Sequence, residues 1–287
     1  MKWEDLRRSS NVEDQRGRSV GRGAAVGGLG IGGVVLVIIF SLITGMNPVE
    51  VLNNVQQGQG APASNPNSQS APPVDDADSQ FVGKILGDTE DVWTSVFSKQ
   101  LGRSYPAPTL VLFSDAVSSA CGSANSSMGP FYCPSDAKVY LDMAFFKEIQ
   151  ATASSGAEFA RAYAIAHEVG HHVQNVLGIM DKVNTQSQGA DKVTANDLSV
   201  RTELQADCFA GIWGHFTAQK GILNDQDVTA ALNTASQIGD DYLQRQSQGR
   251  VVPDSFTHGS SAQRVKWFKT GFTSGDINQC NTFAGTP

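Results

Sequence analysis

The chain has 287 residues, of which 40% are hydrophobic and 17% are charged, and its formal net charge is −7. This composition is typical of a globular protein and excludes disordered, collagenous and coiled-coil chains. The acidic balance also argues against nucleic acid as the principal partner, because neutralising phosphates requires a concentrated patch of Lys and Arg.

One uncharged, apolar stretch lies near the N-terminus, at residues 24–44. At a rise of 1.5 Å per residue it would span about 31 Å, the thickness of a hydrocarbon core. A cleaved signal peptide is the alternative, but no small-residue cleavage site follows, which favours an uncleaved transmembrane anchor at 24–45. Lys and Arg precede the stretch, so we expect residues 1–23 to be cytoplasmic and the rest periplasmic or extracellular, held in the bacterial inner (plasma) membrane by one span.

The segment after this stretch, residues 46–80, contains no Lys or Arg and is rich in Pro, Gln, Asn and Ser. It cannot bury enough apolar surface to offset its ordering entropy, so we predict a disordered linker. Residues 81–287 have globular composition and no fixed-period repeat. We interpret them as one domain.

Hydrophobic periodicity within this domain predicts the α+β class, with mostly helices and a small sheet. Expected strands are 109–113 and a pair formed by 129–133 and 138–141. Expected helices are 81–100, 143–153, 157–177, 197–220, 226–246 and 261–272. The strand at 138–141 would suit the edge of a cleft that binds an extended peptide.

The four cysteines fit a compartment in which disulfides persist. Cys121 and Cys133 enclose a loop containing Gly, Ser and Pro, which a bridge would stabilise by about 3 kcal/mol. The remaining pair would be Cys208 with Cys280. Three connectivities are possible, and a cysteine-based zinc site is the competing interpretation, but no C-x-x-C spacing supports it. We therefore predict two disulfides.

The residues from His167 to His171 read H-E-V-G-H within a predicted helix. His167 and His171 lie one turn apart, so both imidazoles can reach one metal ion. Glu168 lies about 100° around the helix axis, where its carboxylate can deprotonate a metal-bound water. This pattern predicts a catalytic zinc site with Glu168 as the general base.

A second pair of carboxylates, Glu203 and Asp207, lies on the next long predicted helix. Catalytic zinc takes three protein ligands and a water, so Glu203 can complete the ligand set. Asp207, one turn later, can accept the free N–H of a ligand imidazole and fix its tautomer. An exposed pair on a solvated helix is the alternative, but the apolar neighbours argue against it, since unpaired buried carboxylates are costly.

These motifs resemble the gluzincin arrangement of zinc metallopeptidases. The chain also resembles, over nearly its whole length, the bacterial putative neutral zinc metallopeptidase family (YpfJ-like). This resemblance is carried by GPFYCP at 129–134, VYLD at 139–142, HEVGHH at 167–172, ELQADC at 203–208 and FTHGSS at 256–261. It implies a zincin-like domain with one Zn2+ per chain and a peptide or protein substrate.

The remaining histidines and two tyrosines have different expected roles. His258 precedes a glycine in a loop that leads into a helix, so it is a candidate catalytic donor to the oxyanion, with a capping or buried loop histidine as the alternative. His172 and His215 are expected to be structural. Tyr140 and Tyr163 are expected in the core, although either hydroxyl could serve as the donor instead.

The reaction expected from these residues is hydrolysis of a peptide bond outside the cytoplasm by a zinc-activated water. Two other functions fit the sequence. One is a non-catalytic, membrane-tethered interaction module with structural zinc, which would not need Glu168. The other is a cell-wall peptide amidase, which the sequence does not separate from a peptidase.

Overall fold

The computed structural model describes residues 1–16, 75–125, 129–144, 146–147, 157–285 and 287. The predicted anchor at 24–45 and most of the predicted linker lie outside these residues. No helix within the described residues is both long enough and apolar enough to cross a bilayer. The described part is mostly helical with two small sheets, which confirms the predicted α+β class.

The main sheet contains four strands in the order β1 (Val12–Asp14), β2 (Thr109–Phe113), β6 (Lys138–Asp142) and β5 (Phe131–Cys133). β1 and β6 both run parallel to β2, and β5 runs antiparallel to β6, which confirms the predicted pair. Because β6 is bonded on both sides, the suggestion that 138–141 forms a cleft edge is wrong. Among the described residues, the edges of this sheet are β1 and β5.

A separate hairpin, β3 (Ala116–Ser119) with β4 (Gly122–Asn125), was not predicted from the sequence. Its two strands are short and contain Ser, Gly and Asn, which have low strand propensity. The Cys121–Cys133 disulfide ties this hairpin to β5, and the Cys208–Cys280 disulfide ties a long helix to the C-terminal turn. Both predicted disulfides are therefore confirmed.

The first helix of the domain, α1 (Ala77–Val96), begins within the predicted linker. Asp76 caps it: its carboxylate accepts from the Ser79 backbone N–H while the Ser79 hydroxyl accepts from the Asp76 N–H. This reciprocal capping explains the early start. The helix continues as a π-helical turn to Leu101 and ends at Gly102, whose φ of 64° is accessible to glycine at little cost.

The described residues from 157 to 285 contain six α-helices: α2 (Ala157–Val176), α3 (Ile179–Ser187), α4 (Lys192–Gln219), α5 (Asp225–Gln237), α6 (Asp240–Gln248) and α7 (Ser261–Ser274). The predicted single helix at 226–246 is instead two, α5 and α6. They part at Gly239, where a Cβ would lie 2.2 Å from the Ser261 nitrogen. Of the predicted helix at 143–153, residues 143, 144, 146 and 147 are helical and the others lie outside the described part.

Helix α4 is the centre of the domain and packs against α2 and α7. Its contact with α7 is close: a Cβ on Gly271 would lie 1.9 Å from the Cys208 carbonyl oxygen. Only a residue without a side chain permits this backbone approach. The close packing brings α7 side chains within reach of the acidic residues on α4.

Residues 1–16 pack against the domain, although 1–23 were expected to form a separate cytoplasmic segment. β1 extends the main sheet, and the Met1 ammonium binds the Asp227 carboxylate at 3.1 Å. Arg7 binds Glu90 at 2.8 Å. The N-terminal segment is therefore joined to the domain by a strand pairing and by ion pairs at separate positions along its length.

Candidate metal centre

The candidate centre lies where α2 and α4 approach each other. Gly170, between the two histidines of the H-E-x-x-H motif, faces Ala206 on α4. A Cβ on Gly170 would lie 3.0 Å from the Ala206 carbonyl oxygen and 3.2 Å from its Cα. The missing side chain thus lets the turn bearing His167 and His171 approach the turn bearing Glu203.

The three expected ligands converge. Glu203 Oε2 lies 3.1 Å from His167 Nε2, and Glu203 Oε1 lies 3.6 Å from His171 Nε2. The ligand atoms of the three residues all lie within 4.8 Å of one another. Tetrahedral zinc with bonds of about 2.0 Å would hold its ligand atoms about 3.3 Å apart. Two imidazoles and a carboxylate at these separations fit zinc.

Asp207 supports His167 from the side away from the other ligands. Its Oδ1 lies 2.9 Å from His167 Nδ1 and its side chain is fully buried. Burial alone would raise the pKa of Asp207, but the Arg264 guanidinium and His167 outweigh it and lower this pKa to about 2. The carboxylate therefore stays ionised and accepts a hydrogen bond from the Nδ1–H of His167, so that Nε2 is the nitrogen that can bind a metal.

Arg264, which no sequence motif indicated, and Tyr163, expected in the core or as an oxyanion donor, complete this support. Arg264, on α7, binds both Asp207 oxygens, at 2.7 Å from Nε and 2.8 Å from Nη2. The buried Tyr163 hydroxyl also donates to Asp207. Tyr163 lies one turn before His167 on the same face of α2, a spacing that could have revealed it. No local pattern connects Arg264 with a residue on another helix.

Glu168 is buried beside the ligands, with 9% of its surface exposed. Burial raises the pKa of its carboxyl, and the charges of His171 and His167 partly oppose that shift. A carboxylate whose pKa lies above the ordinary Glu range is a better proton acceptor at neutral pH. The environment of Glu168 therefore suits a general base.

The ligands differ in how their environment shifts their pKa values. Burial raises the pKa of Glu203, but the charge of His171 and hydrogen bonds from His167 and His171 outweigh burial and hold it well below its usual range. Burial lowers the pKa of His167, but hydrogen bonds to Asp207 and Glu203 raise it to about 10. A proton therefore competes with a metal for these groups, and metal uptake would release protons.

His258 lies in the loop before α7 and is 2% exposed. Its Nδ1 lies 3.1 Å from Asp240 Oδ1, while Asp240 Oδ2 accepts from the backbone N–H groups of Thr257, His258 and Gly259. Its Nε2 is buried and has no hydrogen-bond partner within the described residues. The next residue, Gly259, lies against Leu204, whose Cδ2 would be 3.1 Å from a Cβ at Gly259, so this loop packs on α4 beside Glu203. No motif in the sequence indicated Asp240 as the partner of His258.

The other histidines and Tyr140 do not join the three ligands. His172 is buried, with Nε2 2.7 Å from the Pro106 carbonyl and Nδ1 3.0 Å from the Tyr132 hydroxyl. His215 Nδ1 lies 2.8 Å from the Phe272 carbonyl. The Tyr140 hydroxyl donates to Asp136 at 2.7 Å. These contacts agree with the structural roles expected from the sequence.

A sequence profile of the family described as putative neutral zinc metallopeptidase matches residues 1–283. The chain belongs to this family. It is 48% identical to the uncharacterized protein YpfJ of Escherichia coli K12, over 99% of both chains. It is 44% identical to the uncharacterized protein Rv2575 of Mycobacterium tuberculosis, over 65% of this chain and 66% of that one. No solved structure matches the chain.

Proposed function

We propose that this member of the family is an active, zinc-dependent peptidase whose metal is held by His167, His171 and Glu203. The observation that carries the proposal is the convergence of these three side chains with Glu168 buried beside them. A zinc site with a purely structural role has no use for a carboxylate that is not a ligand. Family membership supports a peptide or protein as the substrate.

Bound there, zinc would supply a Lewis acid and a water of lowered pKa. Glu168 accepts the proton of the attacking water and then returns it to the leaving amine. When its ring is protonated on both nitrogens, His258 donates from Nε2 to the carbonyl oxygen as negative charge develops, while its Nδ1–H donates to Asp240, which holds the ring in place. Asp207 keeps the proton of His167 on Nδ1, so that Nε2 can bind the metal.

The direct test measures zinc content and turnover of a broad peptide library by the full-length chain in detergent. We expect about one zinc per chain, cleavage that a chelator abolishes, and recovery on adding zinc back. Glu203→Ala should lose bound zinc and activity together, because one of three protein ligands is gone. The peptidase proposal would fall if the zinc-loaded chain cleaved nothing across the library. Selective cleavage of peptidoglycan peptides would favour the amidase.

We further propose that the domain works outside the cytoplasm, attached to a membrane through residues 24–45. The two disulfides support this location, because such bonds persist in oxidising compartments. Peptide mapping without reductant, on protein alkylated in its own cells, should recover both cross-links. Four free thiols in that sample would contradict the location.

A further inference from the structure

The second ligand histidine, His171, is supported by a side-chain amide in place of a carboxylate. Its Nδ1 lies 2.8 Å from Gln174 Oε1. Gln174 Nε2 donates to the Thr202 carbonyl at 2.7 Å and to Gln205 Oε1 at 3.0 Å. Gln205 Nε2 in turn donates to the Cys280 carbonyl at 2.9 Å. We name Gln174 and Gln205 the amide relay; it leads from the metal centre to the C-terminal disulfide.

The two backbone carbonyls fix the direction of this relay. An amide can be flipped end for end without changing its shape, but a carbonyl oxygen can only accept. The Thr202 carbonyl therefore requires the Gln174 nitrogen, and the Cys280 carbonyl requires the Gln205 nitrogen. The Gln174 oxygen then accepts from the Nδ1–H of His171, so Nε2 is the ring nitrogen directed at Glu203.

The relay is enclosed, which makes its hydrogen bonds hard to replace. Gln174 is fully buried and Gln205 is 5% exposed. Water does not readily substitute for a missing partner at such positions, and an unsatisfied buried polar group costs free energy. Loss of the acceptor at Gln174 would leave the Nδ1–H of His171 unpaired, and the ring would lose the contact that selects its tautomer.

The outer end of the relay depends on the position of the C-terminal turn. Cys280 ends the 3₁₀ turn Ile277–Cys280 and is bonded to Cys208 on α4. Cys208 follows Asp207, the support of His167, by one residue. The disulfide thus fixes a carbonyl outside the centre against the same helix that carries Glu203.

We propose that Gln174 is a positioning residue for His171, and that the C-terminal turn, held by Cys208–Cys280, sets the zinc affinity of the centre through the amide relay. This inference rests on the proposed zinc site, not on its catalytic activity. Its readouts are the dissociation constant for zinc and the tautomer of His171, neither of which requires turnover.

The test compares Gln174→Met with the wild-type full-length chain. Methionine keeps the length of the side chain but removes the acceptor and both donors. Replacing an outer partner of a metal-bound histidine typically weakens metal binding by about 10- to 100-fold, and we expect a loss in that range by chelator competition. Gln205→Met should weaken zinc binding less, because Thr202 still orients Gln174.

Nitrogen NMR of the zinc-loaded protein, in which His171 is neutral, gives a readout that a general loss of stability would not move. Wild-type His171 should carry its proton on Nδ1, whereas Gln174→Met should shift it toward Nε2. Gln174→Glu keeps an acceptor for His171 and should restore the Nδ1 tautomer. Asn175→Leu is the matched control, since Asn175 bonds to Tyr132 and Pro134, outside the relay.

A pair of double variants tests the disulfide. Cys208→Ser with Cys280→Ser should weaken zinc binding, whereas Cys121→Ser with Cys133→Ser should not. If Gln174→Met had the zinc affinity and the His171 tautomer of the wild type, the inference would be overturned. The peptidase proposal would be unaffected. Equal zinc affinity in the two double variants would overturn the role of the C-terminal turn. A wild-type chain that binds no zinc would remove the metal centre itself.

Discussion

Glu168→Gln is expected to lower kcat for peptide hydrolysis by about 10²–10⁴-fold while zinc content stays at the wild-type value. Glutamine has nearly the same shape as glutamate but cannot accept the proton of the attacking water. General acid–base assistance is worth this factor, on the order of 3–5 kcal/mol of transition-state stabilisation. Single-turnover rates and zinc content, measured on the same preparations, test the prediction.

His258→Ala is the informative comparison for this variant. An oxyanion donor contributes up to about 10³-fold, and the Lewis acid would still carry part of the developing charge, so this loss should be the smaller one. Glu203→Ala differs from both, because it should lose zinc along with activity. If Glu168→Gln cleaves peptides as fast as the wild type, Glu168 is not the base, and the tethered binding module becomes the better interpretation.

Asp207→Asn is expected to destabilise the metal-free protein by about 3–5 kcal/mol. The substitution removes the carboxylate that neutralises the fully buried Arg264 guanidinium, and an uncompensated buried charge has about this cost. Asparagine also leaves His167 without an anionic acceptor, so zinc binding should weaken by about 10- to 100-fold. Denaturant unfolding of the chelated protein measures the first effect, and chelator competition measures the second.

The pH dependence of the stability difference between wild type and Asp207→Asn identifies the cause of that difference. The pKa of Asp207 is lowered to about 2 in the folded protein, below the ordinary value of about 3.8. A lowered pKa stabilises the fold above the ordinary value, and this contribution is lost as the pH falls toward 2. The gap in free energy of unfolding between wild type and Asp207→Asn should therefore be full above about pH 4 and shrink below it. If the difference in free energy of unfolding did not change with pH, the lost stability would come from packing and not from the lost charge of Asp207.

The parts of the centre that the sequence predicted are those set by spacing along one helix. His167, Glu168 and His171 share two adjacent turns of α2, and Glu203 and Asp207 share two turns of α4. Such spacing fixes which side chains share a face before any tertiary structure is known. The two disulfides also followed from the number and spacing of the cysteines, because only a few pairings are possible.

The parts that the sequence did not predict depend on contacts between elements. Arg264 reaches Asp207 because Gly271 lets α7 lie against α4, and Asp240 reaches His258 because the chain breaks at Gly239. The amide relay joins two helices and a turn at separations that no periodic pattern records. β1 was missed for a related reason: a strand of three residues has too little alternation to be recognised without its partner.

The docking of β1 also constrains how this protein can be placed in a membrane. Arg16, at the end of the N-terminal segment, binds Asp76 at 2.7 Å, just before α1. Residues on opposite sides of a bilayer are separated by a hydrocarbon core of about 30 Å. A single crossing at 24–45 therefore requires a state in which β1 has separated from β2 and Arg16 from Asp76. While β1 is paired with β2, the first sixteen residues lie on the same side of any membrane as the helices of the metal centre.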